Sequence, residues 1–479
     1  MKIALAASEA APYVKTGGLG DVMQALPEAL SQIPGNEVCL FLPYYRRIKY
    51  NSAFETEFLG SFSVNLSWRE QYVGLFRLKS RRKKLRIYFI DNEYYFGRDS
   101  VYGDFDDGER FAYYSKAMLA CMAYVDFVPD ILHCHDWQAG LVIPYFRAEY
   151  AERYPNTRTI FTIHNVEYQG KADKYFFGDT IGLPECYRER LEFDGCINVM
   201  KGAIELSDMV TTVSRTYAGE LKYPYYAHGL HGVLSGRGNR LRGIVNGIDT
   251  TGYDPASDPN LAKNYSAAKL TGKAECREAL RRELGLYENS EAPVLAMVTR
   301  LAAHKGIDLL NYIARRLLER EVQLVIVGTG ERKYEQSLLQ LASEYPGRVS
   351  VNLCFSPALA SRVYAGADVY LMPSKSEPCG LSQLIAMRYG TIPVVNETGG
   401  LKDTVPPYDP TTGEGRGFTF QSYNADDFLA AIDRAITLYY NDKDAWKRLQ
   451  QHDMREDFSW KEPAAEYMKL YEELCVSPY

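Results

Sequence analysis

The sequence predicts an α/β protein of two domains, each built on a doubly wound parallel sheet. At 479 residues, the chain exceeds the roughly 250–300 residues at which a single hydrophobic core stops growing. Short apolar runs alternate with amphipathic segments along both halves, which is typical of parallel strands joined by helices. Polar side chains follow many of the apolar runs, as expected where ligands bind beyond the carboxyl ends of parallel strands.

Composition and charge limit the classes of partner. The chain is 46% hydrophobic and 24% charged, which is ordinary for a globular protein. Its formal net charge is −6, and its one basic tract, residues 81–84, lies in polar surroundings that predict a solvated hairpin tip. We therefore expect no nucleic-acid partner, and any phosphate must be held by a few placed cations. No apolar run approaches the ~20 residues that span a bilayer, so we expect no membrane partner either.

The first strand-to-helix junction is the clearest motif of the first half. Residues 3–7 form an apolar run, residues 15–21 read Lys-Thr-Gly-Gly-Leu-Gly-Asp, and apolar residues then recur at helical spacing. The glycines let the backbone approach an anion at the positive end of the helix, and Lys15 adds a point charge. The loop is not the dinucleotide-binding fingerprint Gly-x-Gly-x-x-Gly, because Met23 occupies the position of the third glycine. By itself, such a loop is more often structural than functional.

Four further apolar runs of the first half, at 130–135, 159–163, 209–213 and 242–245, end in polar residues. The residues that follow them are Asp136, Trp137, His164, Asn165, Ser214 and Asn246. A polar residue at the end of one strand more often caps the backbone there. Four such strand ends in one half of the chain predict a ligand-binding site. His133 and His135 share one face of a strand, yet no third ligand is evident, so we predict no metal site.

In the second half, two apolar runs lead to charged turns. The run at 293–298 is followed by Arg300 and Lys305, where two cations could cradle a diphosphate. The alternative, two surface charges on a loop, is equally good on this feature alone. The run at 368–374 leads to Glu377 and then to a glycine turn and a helix start, whose N–H groups could meet an anion. This second turn is the strongest physical signal in the chain.

Together these motifs resemble those of bacterial glycogen synthases and plant starch synthases. The likeness runs from near Met1 to about Tyr471 and is carried by residues 15–19, 133–141, 162–169, 245–249, 300–306 and 373–384. It implies a GT-B fold, with two facing Rossmann-like domains and a cleft between them. It also implies a hexosyltransferase that moves glucose from ADP-glucose to the non-reducing-end 4-hydroxyl of an α-1,4-glucan, with retention of configuration and with no metal or other cofactor.

The resemblance also assigns roles to residues. Arg300 and Lys305 would neutralise charge on the departing ADP, and Glu377 would contact the glucose hydroxyls. The implied catalytic residues are His164, Arg300, Lys305 and Glu377. The implied donor-binding residues are Lys15, Gly17, Gly18, Asp21, Asn165, Asn246, Phe355, Cys379, Gly380, Leu381 and Ser382. Asp136 and Trp137 are the implied acceptor-binding residues.

Retention would ordinarily suggest a carboxylate nucleophile. The family is described instead by departure and attack on one face of the sugar, so we expect Glu377 to give electrostatic support only. Many related enzymes carry a second glutamate eight residues on, but here that position is Ile385, a variant typical of ADP-glucose synthases. A UDP-glucose enzyme, or one with another acceptor, is the alternative. A non-catalytic binding protein is disfavoured because every charged position of the motifs is filled.

The resemblance predicts three segments: a first domain at 1–250, a nucleotide-sugar domain at 251–458 and a helix at 459–479 that returns to the first domain. Nine cysteines without metal-ligand spacing, and a start directly at the first apolar run, predict a cytoplasmic protein without a targeting segment. A plastid enzyme that lacks its transit peptide is the alternative. The oligomeric state is left open.

Overall fold

The structure, a computed structural model, describes residues 1–80, 84–288 and 291–476. The chain divides into two compact units. Unit 1 comprises Met1–Asn246 and the segment that begins at Trp460, and unit 2 comprises Gly247–Ser459. The predicted boundaries after residues 250 and 458 lie within a few residues of this division. The predicted hairpin tip at 81–84 falls largely on residues 81–83, which lie outside the described residues.

Unit 1 contains twelve described strands. They are β1 Lys2–Ala6, β2 Glu37–Pro43, β3 Thr56–Leu66, β4 Arg69–Leu78, β5 Leu85–Asp91, β6 Ile131–His135, β7 Arg158–Ile163, β8 Lys171–Ala172, β9 Glu192–Phe193, β10 Cys196–Asn198, β11 Met209–Thr212 and β12 Leu241–Gly243. Nine of them form one sheet in the order β12-β11-β7-β6-β1-β2-β5-β4-β3, and β8, β10 and β9 form a small separate sheet.

The helices of unit 1 connect these strands. They are α1 Gly18–Gln32, α2 Arg46–Lys49, α3 Glu93–Phe96, α4 Asp107–Tyr124, α5 Val142–Glu149, α6 Arg188–Leu191, α7 Val199–Leu206, α8 Arg215–Glu220 and α9 His231–Gly236. The unit also receives the last described helix of the chain, α18 Lys461–Val476. All five residues of β6 are buried, including His133 and His135, as expected for a central strand that is covered on both faces.

The large sheet of unit 1 is not purely parallel, and in this respect the prediction was incomplete. Strands β3 and β4 form a hairpin that pairs antiparallel to β5 at one edge. The side chains of β3 are mostly exposed or partly exposed, and only two of the eleven are buried. The predicted hairpin tip at 81–84 implies an antiparallel pair of the flanking strands, β4 and β5. The pairing of β3 with β4 was not predicted, because an edge hairpin needs no continuous apolar run.

Unit 2 contains a six-stranded parallel sheet. Its strands are β13 Val294–Val298, β14 Gln323–Val327, β15 Val349–Asn352, β16 Val369–Met372, β17 Ile392–Asn396 and β18 Phe418–Phe420. Its helices are α10 Thr271–Leu284, α11 Ile307–Leu317, α12 Arg332–Glu344, α13 Pro357–Gly366, α14 Ser382–Arg388, α15 Gly399–Thr404, α16 Ala425–Asn441 and α17 Lys443–Arg455. The strand order is β15-β14-β13-β16-β17-β18, which is the Rossmann order.

Burial in unit 2 shows why this sheet is doubly wound. Leu295 and Met297 of β13 join one hydrophobic cluster, whereas their neighbours Val294 and Ala296 join another. Because successive side chains of a strand point to opposite faces, both faces of the sheet are covered.

Within the described residues, no helix combines the length and the apolar composition that crossing a membrane requires.

Helix α18, which lies within the predicted segment 459–479, packs into the core of unit 1. Tyr467, Leu470, Tyr471 and Leu474 are all buried in the same cluster as the central strands. The helix is also held by polar contacts, since the Arg158 guanidinium on β7 donates to the Leu474 carbonyl oxygen at 3.2 Å. This last described helix is therefore part of the unit 1 core and is bonded to the amino end of β7.

Replacing a core leucine of α18 should loosen unit 1 selectively. We expect Leu470→Ala to cost ~2–5 kcal/mol, because a buried leucine leaves a cavity when it is truncated. Hydrogen exchange measured by mass spectrometry should show faster exchange in peptides of β1 and α1. Leu449→Ala is the matched control, because Leu449 is equally buried in unit 2; it should leave the unit 1 peptides unchanged. Unaltered unit 1 exchange in Leu470→Ala would contradict the assignment of α18.

Candidate active site

The topology of each unit marks one place for ligand binding. In unit 2 the chain runs outward from β13 through β14 to β15 and then returns to β16, which pairs with β13. In unit 1 the corresponding neighbours are β1 and β6. Open α/β sheets bind ligands beyond the carboxyl ends of the strands at such a switch point. Most of the predicted site residues follow these four strands or their immediate neighbours.

In unit 2, the loops after β13 and β16 are joined to each other. Gly306 ends the loop after β13 with φ of 77°, and a Cβ at this position would collide with the carbonyl oxygen of Pro373. Glycine is therefore required here, both for the backbone conformation and for the close approach. The Lys375 N–H also donates to the His304 carbonyl oxygen at 2.9 Å. These contacts bring Lys305 to the turn that carries Glu377.

Glu377 is the centre of the unit 2 set. It is 7% exposed, and its Oε2 accepts hydrogen bonds from Lys305 Nζ at 2.7 Å and from Ser374 Oγ at 2.9 Å. Its Oε1 accepts none from the described residues, so this oxygen is available to a ligand hydroxyl. A carboxylate that is ion-paired and hydrogen-bonded is a weak nucleophile, which agrees with the supporting role expected for Glu377.

The turn beyond Glu377 is supported from inside the unit. Gly380 has φ of 72°, and the buried Gln383 amide donates to the carbonyl oxygens of Cys379 and Gly380 at 3.1 and 3.0 Å. Helix α14 begins at Ser382, with Leu381 as its N-cap. The first N–H groups of a helix have no acceptor within the helix, so the N–H groups at the start of α14 can face a ligand.

Three of the predicted residues lie apart from these contacts. Arg300 is exposed, and its guanidinium forms no ion pair with any described residue. Phe355, just after β15, is 83% exposed, so its ring is free to stack on a flat ligand. Asn246 ends unit 1; it is 5% exposed, and its Oδ1 finds no donor among the described residues.

In unit 1, the glycine loop is organised by Glu9, a residue that the sequence did not single out. The buried Glu9 carboxylate accepts from the Thr16 N–H at 2.7 Å, the Thr16 hydroxyl at 2.6 Å and the Gly20 N–H at 3.0 Å. Burial raises the pKa of Glu9, while the hydrogen bonds from Thr16, Gly20 and Gly17 act against this rise. Glu9 therefore does for α1 what a capping side chain does elsewhere, since the N-cap is Gly17.

This contact changes how the glycine loop can bind an anion. The Gly20 N–H serves Glu9, whereas the N–H of Gly18, the first residue of α1, has no acceptor within the helix and can meet a phosphate. Lys15 pairs with Asp21 at 2.7 Å, and both side chains are about one-third exposed. A solvent-accessible ion pair is weak, so an incoming phosphate can compete for the lysine.

Asp136 holds the segment that carries His164 and Asn165. Its Oδ1 accepts from the His164 N–H at 2.8 Å and the Asn165 N–H at 3.4 Å, and its own backbone has φ of 58°. Such a conformation is strained for a non-glycine residue and is common at functional sites. Burial raises the pKa of Asp136 to about 7 against the effect of these hydrogen bonds. The side chain keeps partial contact with solvent.

Trp137 and the histidines complete the unit 1 set. Trp137 packs edge-on against Phe111 with ring centroids 5.3 Å apart and is partly exposed, so part of its ring is available to a ligand. His164 Nε2 lies 2.9 Å from His135 Nδ1. Burial lowers the pKa of His164 to about 3, which keeps the ring neutral at pH 7. Within the described part of the chain, no group of three or more metal-ligating side chains is arranged to hold a metal ion.

Comparison with known proteins identifies the family. The family profile described as "Starch synthase catalytic domain" matches residues 2–236, and "Glycosyl transferases group 1" matches residues 277–452. The chain is 46% identical to a glycogen synthase of Desulfitobacterium hafniense over 482 residues, covering 100% of both chains. It is also 46% identical to a glycogen synthase of Bacillus cereus strain Q1 over 478 residues, covering 99% of this chain and 100% of that protein.

Solved structures agree. The catalytic domain of starch synthase IV from Arabidopsis thaliana, bound to ADP and acarbose, superposes with a TM-score of 0.91 at 35% identity, covering 99% of each chain. Sucrose-phosphate synthase from Thermosynechococcus elongatus has a TM-score of 0.61 at 19% identity, covering 99% of this chain and 98% of that one, and shows a shared fold only.

Two Rossmann-type units with site residues at their switch points define a GT-B glycosyltransferase. The chain belongs to the glycogen and starch synthase family of these enzymes, and it is a glucosyltransferase of glucan synthesis. The predictions of fold class, family and enzyme class are confirmed.

The main site residue that the sequence did not reveal is Glu9. Its one signal was an acidic residue three positions after the end of β1, on the carboxyl side of the first strand. Nothing in the sequence showed that Glu9 folds back onto Thr16 and Gly20, because that contact depends on the path of the loop between them.

Replacing Glu9 should release the glycine loop. In Glu9→Gln, an amide NH₂ faces N–H donors that require an acceptor, so we expect the amides of Thr16 and Gly20 to exchange at least ~10-fold faster. Hydrogen exchange resolved by NMR measures this directly. Glu37→Gln is the control, since Glu37 pairs with Arg86 on the surface of the same unit. Unchanged exchange at Thr16 and Gly20 would show that Glu9 does not hold the loop.

Proposed function

We propose that this glucosyltransferase uses ADP-glucose as donor and transfers glucose to the non-reducing-end 4-hydroxyl of an α-1,4-glucan, with retention of configuration. The supporting observation is the Glu377 cluster at the unit 2 switch point, where Lys305 and Ser374 hold one carboxylate oxygen and leave the other free. The glycogen synthases among its relatives support the glucan acceptor. The ADP and acarbose bound to the plant starch synthase support the nucleotide and the sugar polymer.

The unit 2 residues fit the handling of the nucleotide diphosphate. Arg300 and Lys305 supply positive charge to the oxygens on which negative charge grows as ADP departs. The N–H groups at the start of α14 add hydrogen bonds to the same oxygens. With two cations in this role, we propose that the reaction needs no metal ion.

The residues of unit 1 act on the sugar in this proposal. His164 and Asn165 hold the glucose, Lys15 and Gly18 add contacts to the donor phosphate, and Asp136 fixes the His164–Asn165 backbone while lying with Trp137 near the acceptor. The acceptor 4-oxygen forms the new bond to C1 as the bond from C1 to the phosphate oxygen breaks. The proton of the acceptor hydroxyl passes to that phosphate oxygen, so both events use one face of the sugar.

None of the nine cysteines forms a disulfide bond, as expected in a reducing compartment. We propose that the protein works in the cytoplasm.

A donor competition assay tests the proposal. Incubation of the protein with glycogen and labelled ADP-glucose or UDP-glucose should give label in glycogen from ADP-glucose in preference. The α-anomeric linkage can be read by NMR, and activity should persist in EDTA. Preferential use of UDP-glucose would support the alternative donor, and no transfer from either donor would refute the proposal.

Loss of either charge in the Glu377 cluster should lower turnover. We expect Lys305→Ala and Glu377→Gln each to reduce kcat by at least ~100-fold, because each removes charge that supports the transition state. The control is Lys333→Ala, which removes one partner of a surface ion pair with Glu331 in the same unit. Initial rates with saturating ADP-glucose and glycogen give the measurement. A variant that keeps wild-type kcat removes its residue from the catalytic set.

A further inference from the structure

A row of three imidazoles runs from the unit 1 site into the core. His133 and His135 lie on β6, and His164 follows β7. The His133 and His135 ring centroids are 4.1 Å apart, and His135 Nδ1 lies 2.9 Å from His164 Nε2. At the inner end, His133 Nδ1 lies 2.8 Å from the Tyr471 hydroxyl of α18. The reaction scheme above uses only the outermost ring.

One proton lies between His135 Nδ1 and His164 Nε2. Burial lowers the pKa of both rings, so both are neutral and each carries one N–H. One nitrogen of the pair must donate and the other must accept. Which one donates determines the tautomer of His164, and therefore what His164 offers to a ligand.

The unpaired nitrogen of His135 decides between the two arrangements. His135 Nε2 is buried and has no hydrogen-bond partner among the described residues. Orphaned buried N–H donors are rarer in proteins than orphaned acceptors. His135 therefore keeps Nε2 bare and carries its proton on Nδ1, which donates to His164 Nε2. His164 must then carry its own proton on Nδ1.

We propose that His135 is a positioning residue, which fixes His164 as the Nδ1–H tautomer so that His164 presents a hydrogen-bond donor to an oxygen of the sugar nucleotide. The Nδ1 atom of His164 is bonded to no described residue and is not among the buried unpaired atoms, so it is open to solvent. The identity of the ligand rests on the function proposed above. The tautomer itself rests only on the geometry of unit 1.

This arrangement defines what His164 does in the reaction. A neutral imidazole with N–H outward donates a hydrogen bond without adding a positive charge. It gives directional recognition of an oxygen, whereas Arg300 and Lys305 supply the charge. With its acceptor nitrogen engaged by His135, His164 is also unable to remove the proton of the attacking hydroxyl through Nε2.

The tautomer can be read in the wild-type enzyme. Two-bond ¹⁵N–¹H correlation spectra of protein labelled at its seven histidines separate protonated from bare ring nitrogens, and His164→Asn assigns the His164 signals by their loss. We expect His164 with Nδ1 protonated and Nε2 bare, and His135 likewise protonated on Nδ1. An Nε2–H tautomer at His164 would overturn the proposal. This result does not depend on which nucleotide the enzyme uses, so it is separable from a failure of the proposed function.

Variants of His135 test the consequence for binding. His135→Asn keeps an N–H donor near the position of Nδ1 and should leave kcat/KM for the donor within ~3-fold of wild type. His135→Leu has a similar size but no donor, so it no longer holds the proton of His164 on Nδ1, and it should lower kcat/KM at least ~10-fold. Tyr471→Phe is the structural control, because it removes a buried hydrogen bond on the His133 side and should lower thermal stability without changing the His164 tautomer.

An equal loss in His135→Asn and His135→Leu would mean that His135 only fills space, and would refute the proposal. If His135→Leu does not fold, the wild-type spectra and His135→Asn together still decide the question.

Discussion

The contact between Lys305 and Glu377 is the interaction on which the unit 2 site depends. It joins the loop after β13 to the turn after β16, so it closes the switch point of the sheet. Glu377 is nearly buried, and an unpaired buried carboxylate would be costly, so lysine and carboxylate require each other. Gly306 makes the contact possible, because a larger residue would hold the two loops apart. One ion pair thus positions both a cation and a carboxylate at the switch point of the sheet.

In unit 1 the loops are also held by carboxylates, but these accept hydrogen bonds from backbone N–H groups and pair with no lysine that the structure describes. Glu9 accepts hydrogen bonds from N–H groups of the glycine loop, and Asp136 accepts them from the N–H groups of His164 and Asn165. Asp136 lies directly after β6 and Glu9 lies three residues after β1, and burial raises the pKa of both carboxyl groups. Both loops are therefore held by charge-assisted hydrogen bonds to carboxylates that follow the strands. Gly18 and the Nδ1 atom of His164 take no part in these bonds, and the Lys15 side chain pairs with Asp21 instead.

The strands and the charged turns were predictable because their signals are local. The run at 368–374 and the turn at Glu377 could be recognised from residue type and spacing, and the strand-end position of Arg300 and Lys305 followed from the same pattern. The hairpin of β3 and β4 could not, since an edge pair is mostly exposed and carries no apolar run. Glu9 was missed for a different reason, because its partners lie seven and eleven residues along the chain and are joined to it only by the course of a loop.

The sequence by itself determined the α/β class, the family and the residue types available for chemistry. Strands buried on two faces appear as continuous apolar runs, and glycine turns appear as short motifs, so both can be recognised from residues that are adjacent in sequence. Only the tertiary structure decided which groups meet. The pairing of Lys305 with Glu377, the role of Glu9 and the row of His133, His135 and His164 all join residues from separate strands or loops. Hydrogen bonds act over about 3 Å, so these contacts exist only once the parallel strands have brought their carboxyl ends together.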